Sequence, residues 1–307
     1  VKGQRVAMGS RYITQALPLD RGEAPWVQGA VPGSNGERSF EEEYGKHLGA
    51  VRSDKGGKVL AVSPEGIKVQ HEDGTTAEIE LDDHMPFNRK TYSHHTPMVK
   101  PGDVFKPGQL LARSNYTDDE GRVALGSNLR VAYMPWKGYN FEDAYVISES
   151  AAAKKLVSQH MYQHNVDVDD RSKMGKAAYV SLFPGTYDRK TLDSLDEHGL
   201  IKPGSKVEYG QPLILAARER DRSENRVHKK GQAGHSDATV VWKHHDSGIV
   251  TDVVRGKDGP VVLVKSTSAM QVGDKMSGRY GDKGVVASIV PDDQMPHGAD
   301  GKPYEVL

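Results

Sequence analysis

Hydrophobic positions in this chain fall in short runs with polar neighbours, and few windows hold a helical period. The runs KVLAVSPEGIKVQ (58–70), AEIEL (77–81), RVAYM (130–134), AYVIS (144–148), GIVTDVV (248–254), PVVLVKS (260–266) and GVVASIV (284–290) read as strands. Gly- and Pro-bearing turns separate them, which predicts a mainly β fold of barrels or sandwiches. The residues flanking Pro64-Glu65-Gly66 predict a hairpin. Two windows suit helices. Ser148–His160 opens with a capping-box spacing, Ser148 to Ala151, that lacks the acidic partner. Arg189–His198 ends at Gly199, a C-cap residue.

One pattern recurs. VKPGDVFKPGQLLA (99–112) returns as IKPGSKVEYGQPLILA (201–216): an apolar residue, Lys-Pro-Gly, a polar turn, Gly-Gln and an apolar strand. Paired glycines around a short strand predict a tight β-arch, the element of barrel-sandwich hybrid folds. Lipoyl and biotinyl carriers use this arch too, but no distinct hairpin presents a modifiable lysine at its tip.

Composition narrows the classes. The chain has 307 residues, 36% hydrophobic and 27% charged, with a mean hydropathy of −0.63. That length suggests two or three domains with a real but polar core. A net charge of −1 gives no global field for a polyanion, so any such site must come from local clustering. The absence of cysteine excludes disulfides and thiolate metal sites and fits a reducing compartment. No apolar run approaches the ~20 residues of a membrane span. The chain starts at Val1 and stops in the strand-like PYEVL, so a fragment of a longer polypeptide is expected.

Local clustering appears at 273–284, GDKMSGRYGDKG, where Lys275, Arg279 and Lys283 are spaced by four. Glycines at 278, 281 and 284 would each cost a helix about 1 kcal/mol, so the helical reading fails. A Gly-jointed loop with three cations suits a polyphosphate or nucleic-acid backbone. The plain alternative is a solvated turn whose Asp274 and Asp282 pair the cations. The loop is not a phosphate-binding Gly-Lys-Ser/Thr motif. A second cluster, ALGSNLRVAYMPWKGYNFEDAYVISES (124–150), crowds aromatic and amide side chains around Glu142 and Asp143. Adjacent strand residues point to opposite faces, so these two are not expected to chelate one ion as a strand pair. One can reach a metal or its water shell while the other pairs a cation.

These two stretches, preceded by RVAMGSRYITQALPL (5–19), resemble in the same order three motifs of the β subunit of cellular multisubunit RNA polymerases. The phrasing of 115–156 is closer to phage-encoded or divergent β subunits than to the enterobacterial type. The resemblance implies a double-psi β-barrel, barrel-sandwich hybrid elements and an inserted flap-like lobe. The expected partition is an N-terminal segment (1–30), a hybrid-binding region (31–119), the first barrel part (120–162), the flap-like insertion (163–264) and the second barrel part (265–307).

The resemblance also implies roles. A β′-type subunit holds the catalytic Mg2+; the only Asp-rich run here, NVDVDDRS (165–172), lacks the Asp-x-Asp-Gly-Asp pattern. Lys275 and Lys283 are expected at the RNA 3′ end and the incoming nucleotide's phosphate, with Arg279 in support. Asp143 is expected to reach a second Mg2+ through water, flanked by Glu142. Arg5 is expected on nucleotide phosphates or transcript and Gln15 on the RNA backbone. Implied partners are the β′-type subunit, α-type subunits, an initiation factor, template DNA, transcript and nucleoside triphosphates. The setting is the cytoplasm, or for a phage protein the host cytoplasm or the virion. The alternatives are a non-catalytic interaction module centred on the flap-like region, or a carrier domain.

Overall fold

A computed structural model describes residues 15–87, 89–220, 234–256, 259–279 and 281–307. It is a mainly β structure, 39% strand and 11% helix. None of its described helices is long and apolar enough to cross a membrane. The chain divides into two compact units, one combining residues up to Gln159 with Ser268–Leu307, the other His160–Thr267.

In the first unit, strands Gly57–Ser63 and Gly66–His71 pair antiparallel across the two-residue turn Pro64-Glu65, with Ser63 opposite Gly66. Thr76–Glu80 and Val104–Phe105 extend this to four strands. Alternation directs Val59, Ile67 and Val69 inward against Phe105 and Leu111, all essentially fully buried.

The repeated sequence pattern is a repeated structure. Gly102 and Gly204 both take positive φ (+96° and +81°). Their amides donate to Val59 and Val250 carbonyls respectively, both at 2.8 Å. In each arch the Gln after the second glycine reaches back: Gln109 Oε1 accepts from the Lys106 amide at 3.1 Å, and Gln211 Oε1 from the Glu208 amide at 3.2 Å.

A second sheet of this unit joins distant parts of the chain. Ala144–Ser148 runs parallel to Lys283–Val290, and Lys275–Ser277 runs antiparallel on the other side of Lys283–Val290. Ile147, Val286, Ala152, Leu156 and Val306 form its core. Val306 bridges both Val131 and Ile147, and the Val146 and Leu307 main chains exchange bonds of 2.8 and 3.1 Å.

Three sequence expectations are corrected. RVAYM is not a strand; Val131 makes only the single bridge to Val306. The helix expected over Ser148–His160 is one π-turn, Ala151–Lys155. Ser148 ends a strand instead, and its Oγ accepts from the Ala151 amide at 3.2 Å. Strand Ser158–Asn165 takes the remainder of that window. The second helix spans only Arg189–Asp193, capped by Asp188. Gly199, φ +79°, closes a separate turn by donating to the Asp196 carbonyl.

The second unit has a four-stranded sheet in the order Ser158–Asn165, Gly259–Ser268, Gly248–Gly256, Lys206–Val207. Its own core gathers Trp242, Tyr179, Leu213, Ile214, Val250, Val262 and Val264. The Trp242 indole N–H donates to the Asp246 carbonyl at 2.9 Å, which leaves no unmet donor in that core side chain.

Candidate functional site

The cationic stretch is a hairpin. Lys275 stands opposite Val285 and Ser277 opposite Lys283, so the fourfold spacing is bent back on itself. Strand residues two apart share a face, which makes Lys275 and Lys283 diagonal neighbours, about 7–8 Å apart for such pairs. Lys275, Ser277, Lys283 and Val285 are all exposed, while Gly284 and Val286 point inward and are buried. The glycines let the hairpin close. A Cβ on Gly278 would lie 2.2 Å from Asp282 Oδ2, and one on Gly284 would lie 2.5 Å from the Asp143 carbonyl oxygen.

The neighbouring aspartates are committed to the turns. Asp282 accepts from the Gly278 amide through its carbonyl and its Oδ2, both at 3.1 Å. Asp274 Oδ2 accepts from the Gln271 amide at 2.8 Å. Among the described residues no carboxylate lies within ion-pair distance of Lys275 or Lys283. Two ammonium groups on one open face, uncompensated by close carboxylates, make a local anion-attracting surface on a chain with almost no net charge.

The acidic motif arrives on the other side of the same strand. Ala144 is level with Val285, and the Val285 amide donates to the Asp143 carbonyl at 2.8 Å. A stitched loop sets this position. The Trp136 amide donates to Asn140 Oδ1 at 2.8 Å, and Asn140 Nδ2 donates to the Met134 carbonyl at 2.7 Å. Trp136 packs against the core of Val146, Met295 and Leu307. Upstream, Arg130 grips Asp300 through both terminal nitrogens at 2.8 and 3.0 Å. That pairing pulls the Asp300 carboxyl down to about 2.

Glu142 and Asp143 both precede the strand, and Glu142 has a left-handed backbone, φ +57°. Strand alternation, expected from the sequence to turn them to opposite faces, therefore does not set their directions. Both are exposed. Among the described residues they belong to no group of three ligand side chains at metal-binding spacing. Beside them the half-buried Tyr145 phenol is shifted upward by burial, then by Asp282, Tyr133 and Asp143.

Gln15 is exposed, and among the described residues no hydrogen bond joins it to this sheet. Arg5 lies outside the described residues. Arg279 sits in the turn between the two lysine strands. The supports that sequence reasoning missed are Asn140 and Arg130, together with the close approach of Gly284, read there only as a loop joint, to the Asp143 carbonyl.

Comparisons with known proteins agree on one family. The family model described as RNA polymerase Rpb2, domain 6, matches residues 55–307. The chain is 34% identical over 324 residues to a DNA-directed RNA polymerase subunit beta of Rubrobacter xylanophilus, covering 99% of this chain and 27% of that protein. Proteins of the same name from Thermus aquaticus (32% identical, 99% of this chain, 28% of theirs) and Treponema denticola (33%, 98% and 27%) are similar to it. The chain thus spans just over a quarter of these relatives' length.

Proposed function

The chain belongs to the RNA polymerase Rpb2 domain 6 family, and from that premise we propose that it is the catalytic-barrel part of a DNA-dependent RNA polymerase β subunit. The observation that carries this is the shared strand Lys283–Val290, which brings the Asp143 motif and both lysines to one sheet.

Nucleotidyl transfer is an in-line attack of a 3′ hydroxyl on an α-phosphate, with pyrophosphate leaving. Negative charge gathers on non-bridging and leaving oxygens, and fixed cations lower the barrier by meeting it. Lys275 and Lys283 supply that charge on a hairpin whose turn is locked by Asp282. One holds the transcript end and the other the triphosphate, with Arg279 in support. Mg2+ would supply Lewis-acid activation, held mainly by a β′-type partner. Asp143, flanked by Glu142, would reach the second ion's water shell. Arg5 and Gln15 contact phosphates and the RNA backbone. We assign the sheet to a double-psi barrel formed by 120–162 and 265–307, and 163–264 to a flap-like lobe.

A nucleotide carrying an aldehyde on its phosphate chain, followed by borohydride reduction, tests the placement in an assembled polymerase. Label on the peptides holding Lys275 or Lys283 is expected. Saturable label confined to lysines of the His160–Thr267 unit would overturn it.

A further inference from the structure

A short hairpin outside that sheet has chemistry of its own. Met85–Pro86 pairs antiparallel with Tyr92–Ser93, Met85 opposite Ser93. Extending that register by one position sets His84 across from His94. Their rings stack with centroids 4.1 Å apart. Asp83 completes the group: its Oδ1 lies 2.6 Å from His84 Nδ1 and 3.2 Å from His94 Nδ1. One ligand atom from each of the three side chains lies within 4.8 Å of the other two.

The frame around these groups is fixed. The His94 amide donates to Asn115 Oδ1, and Asn115 Nδ2 returns a bond to the Tyr92 carbonyl, both at 3.0 Å. Tyr92 is fully buried, and its hydroxyl donates to Gln159 Oε1. His95 Nδ1 accepts from the Asp82 amide at 2.7 Å, which pins the residue before Asp83. His84 holds its place with a left-handed backbone, φ +54°, uncommon outside glycine.

We propose that Asp83, His84 and His94 form a binding site for a divalent transition metal of the Zn2+, Co2+ or Ni2+ class. Two imidazole nitrogens with one carboxylate oxygen suit these borderline ions, whereas Mg2+ and Ca2+ favour all-oxygen shells. Three protein ligands leave a fourth position to water. Both Nδ1 atoms already lie within 3.2 Å of the Asp83 Oδ1, so the ion replaces the proton shared between His84 and Asp83, which leaves to solvent. The ion would join the residues before and after the hairpin and so clip its open end. This site is independent of the polymerase reading.

Titrating the 307-residue chain with Co2+, read by its visible absorption, tests the assignment. One saturable equivalent is expected, displaced by Zn2+. It should be lost in a His84→Ala/His94→Ala double variant and weakened about 10-fold or more by either single change, since even outer partners of metal ligands contribute that much. His160→Ala and His244→Ala should leave it intact. In the unsubstituted chain, Zn2+ should slow acylation of His84 and His94 by diethylpyrocarbonate more than that of any other histidine. Absence of saturable Co2+ binding, unchanged binding by the double variant, or uniform protection of all histidines would overturn the proposal.

Discussion

The Val285 amide donates to the Asp143 carbonyl at 2.8 Å. That bond places the acidic motif level with two lysines far away in sequence, because Lys275 pairs with the same Val285 from the opposite side. The contact depends on what lies next to it. Gly284 has no side chain to hold the Asp143 carbonyl and the Tyr145 ring away.

Gly284→Ala should therefore separate the two motifs or strain the strand. A Cβ at 2.5 Å from a main-chain oxygen cannot be absorbed by a rotamer change. Overpacking of this kind costs about 1–3 kcal/mol. Urea unfolding of the variant chain reads this, and an unchanged midpoint would show that the strands are not held this closely.

The His160–Thr267 unit should lose stability on mild acidification. His164 sits edge-on to Trp242, centroids 5.5 Å apart, with His244 nearby. Burial first, then His244 and Lys243, push its pKa down to about 4. An unfolded histidine titrates near 6.5, so the unfolded chain binds the proton first. Stability present above pH 6.5 is lost as pH falls from about 6.5 toward 4. The expected loss is on the order of 1 kcal/mol after allowing for the ring's partial exposure. Thermal unfolding at pH 7 and 4.5 should show the drop, and His164→Phe should reduce it.

Much of the fold is legible in the sequence where local signals and tertiary pairing agree. The hairpin around Pro64-Glu65 alternates cleanly and has a turn that fits. The two arches are marked by glycines that adopt positive φ. Long-range contacts hide the rest. RVAYM has strand residues, but the Arg130 grip on Asp300 and the Arg130 amide bond to Glu305 hold it as a loop. The Ala-rich window after Ser148 has helix formers, yet the bridge between Leu19 and Ser158 draws its end into a sheet. At the candidate site the residue types were readable, because glycines beside lysines carry a physical meaning. Their placement was not, since the left-handed Glu142 and the Asn140 stitch leave little trace in residue type. Asp83, His84 and His94 meet across a hairpin that has no strong turn signature.

Purified chain alone should add no nucleotide to a primer at any Mg2+ concentration. Glu142 and Asp143 are exposed and belong to no three-ligand group among the described residues. Extension by highly purified chain would place the metal-holding carboxylates here instead of on a partner.

Lys275 and Lys283 are proposed to meet the charge of the reacting phosphates, and single-turnover nucleotide addition by an assembled polymerase reads that contact. Both side chains are exposed, so Lys275→Ala and Lys283→Ala should change stability by only about ±0.5 kcal/mol. Losing a transition-state charge contact should slow addition about 10²-fold or more. Lys283→Arg should stay slow, because a planar fork does not replace a compact ammonium. Asp143→Ala should slow addition and raise the Mg2+ concentration needed. Folded lysine variants that add nucleotides at the parent rate would remove both lysines from the reacting phosphates.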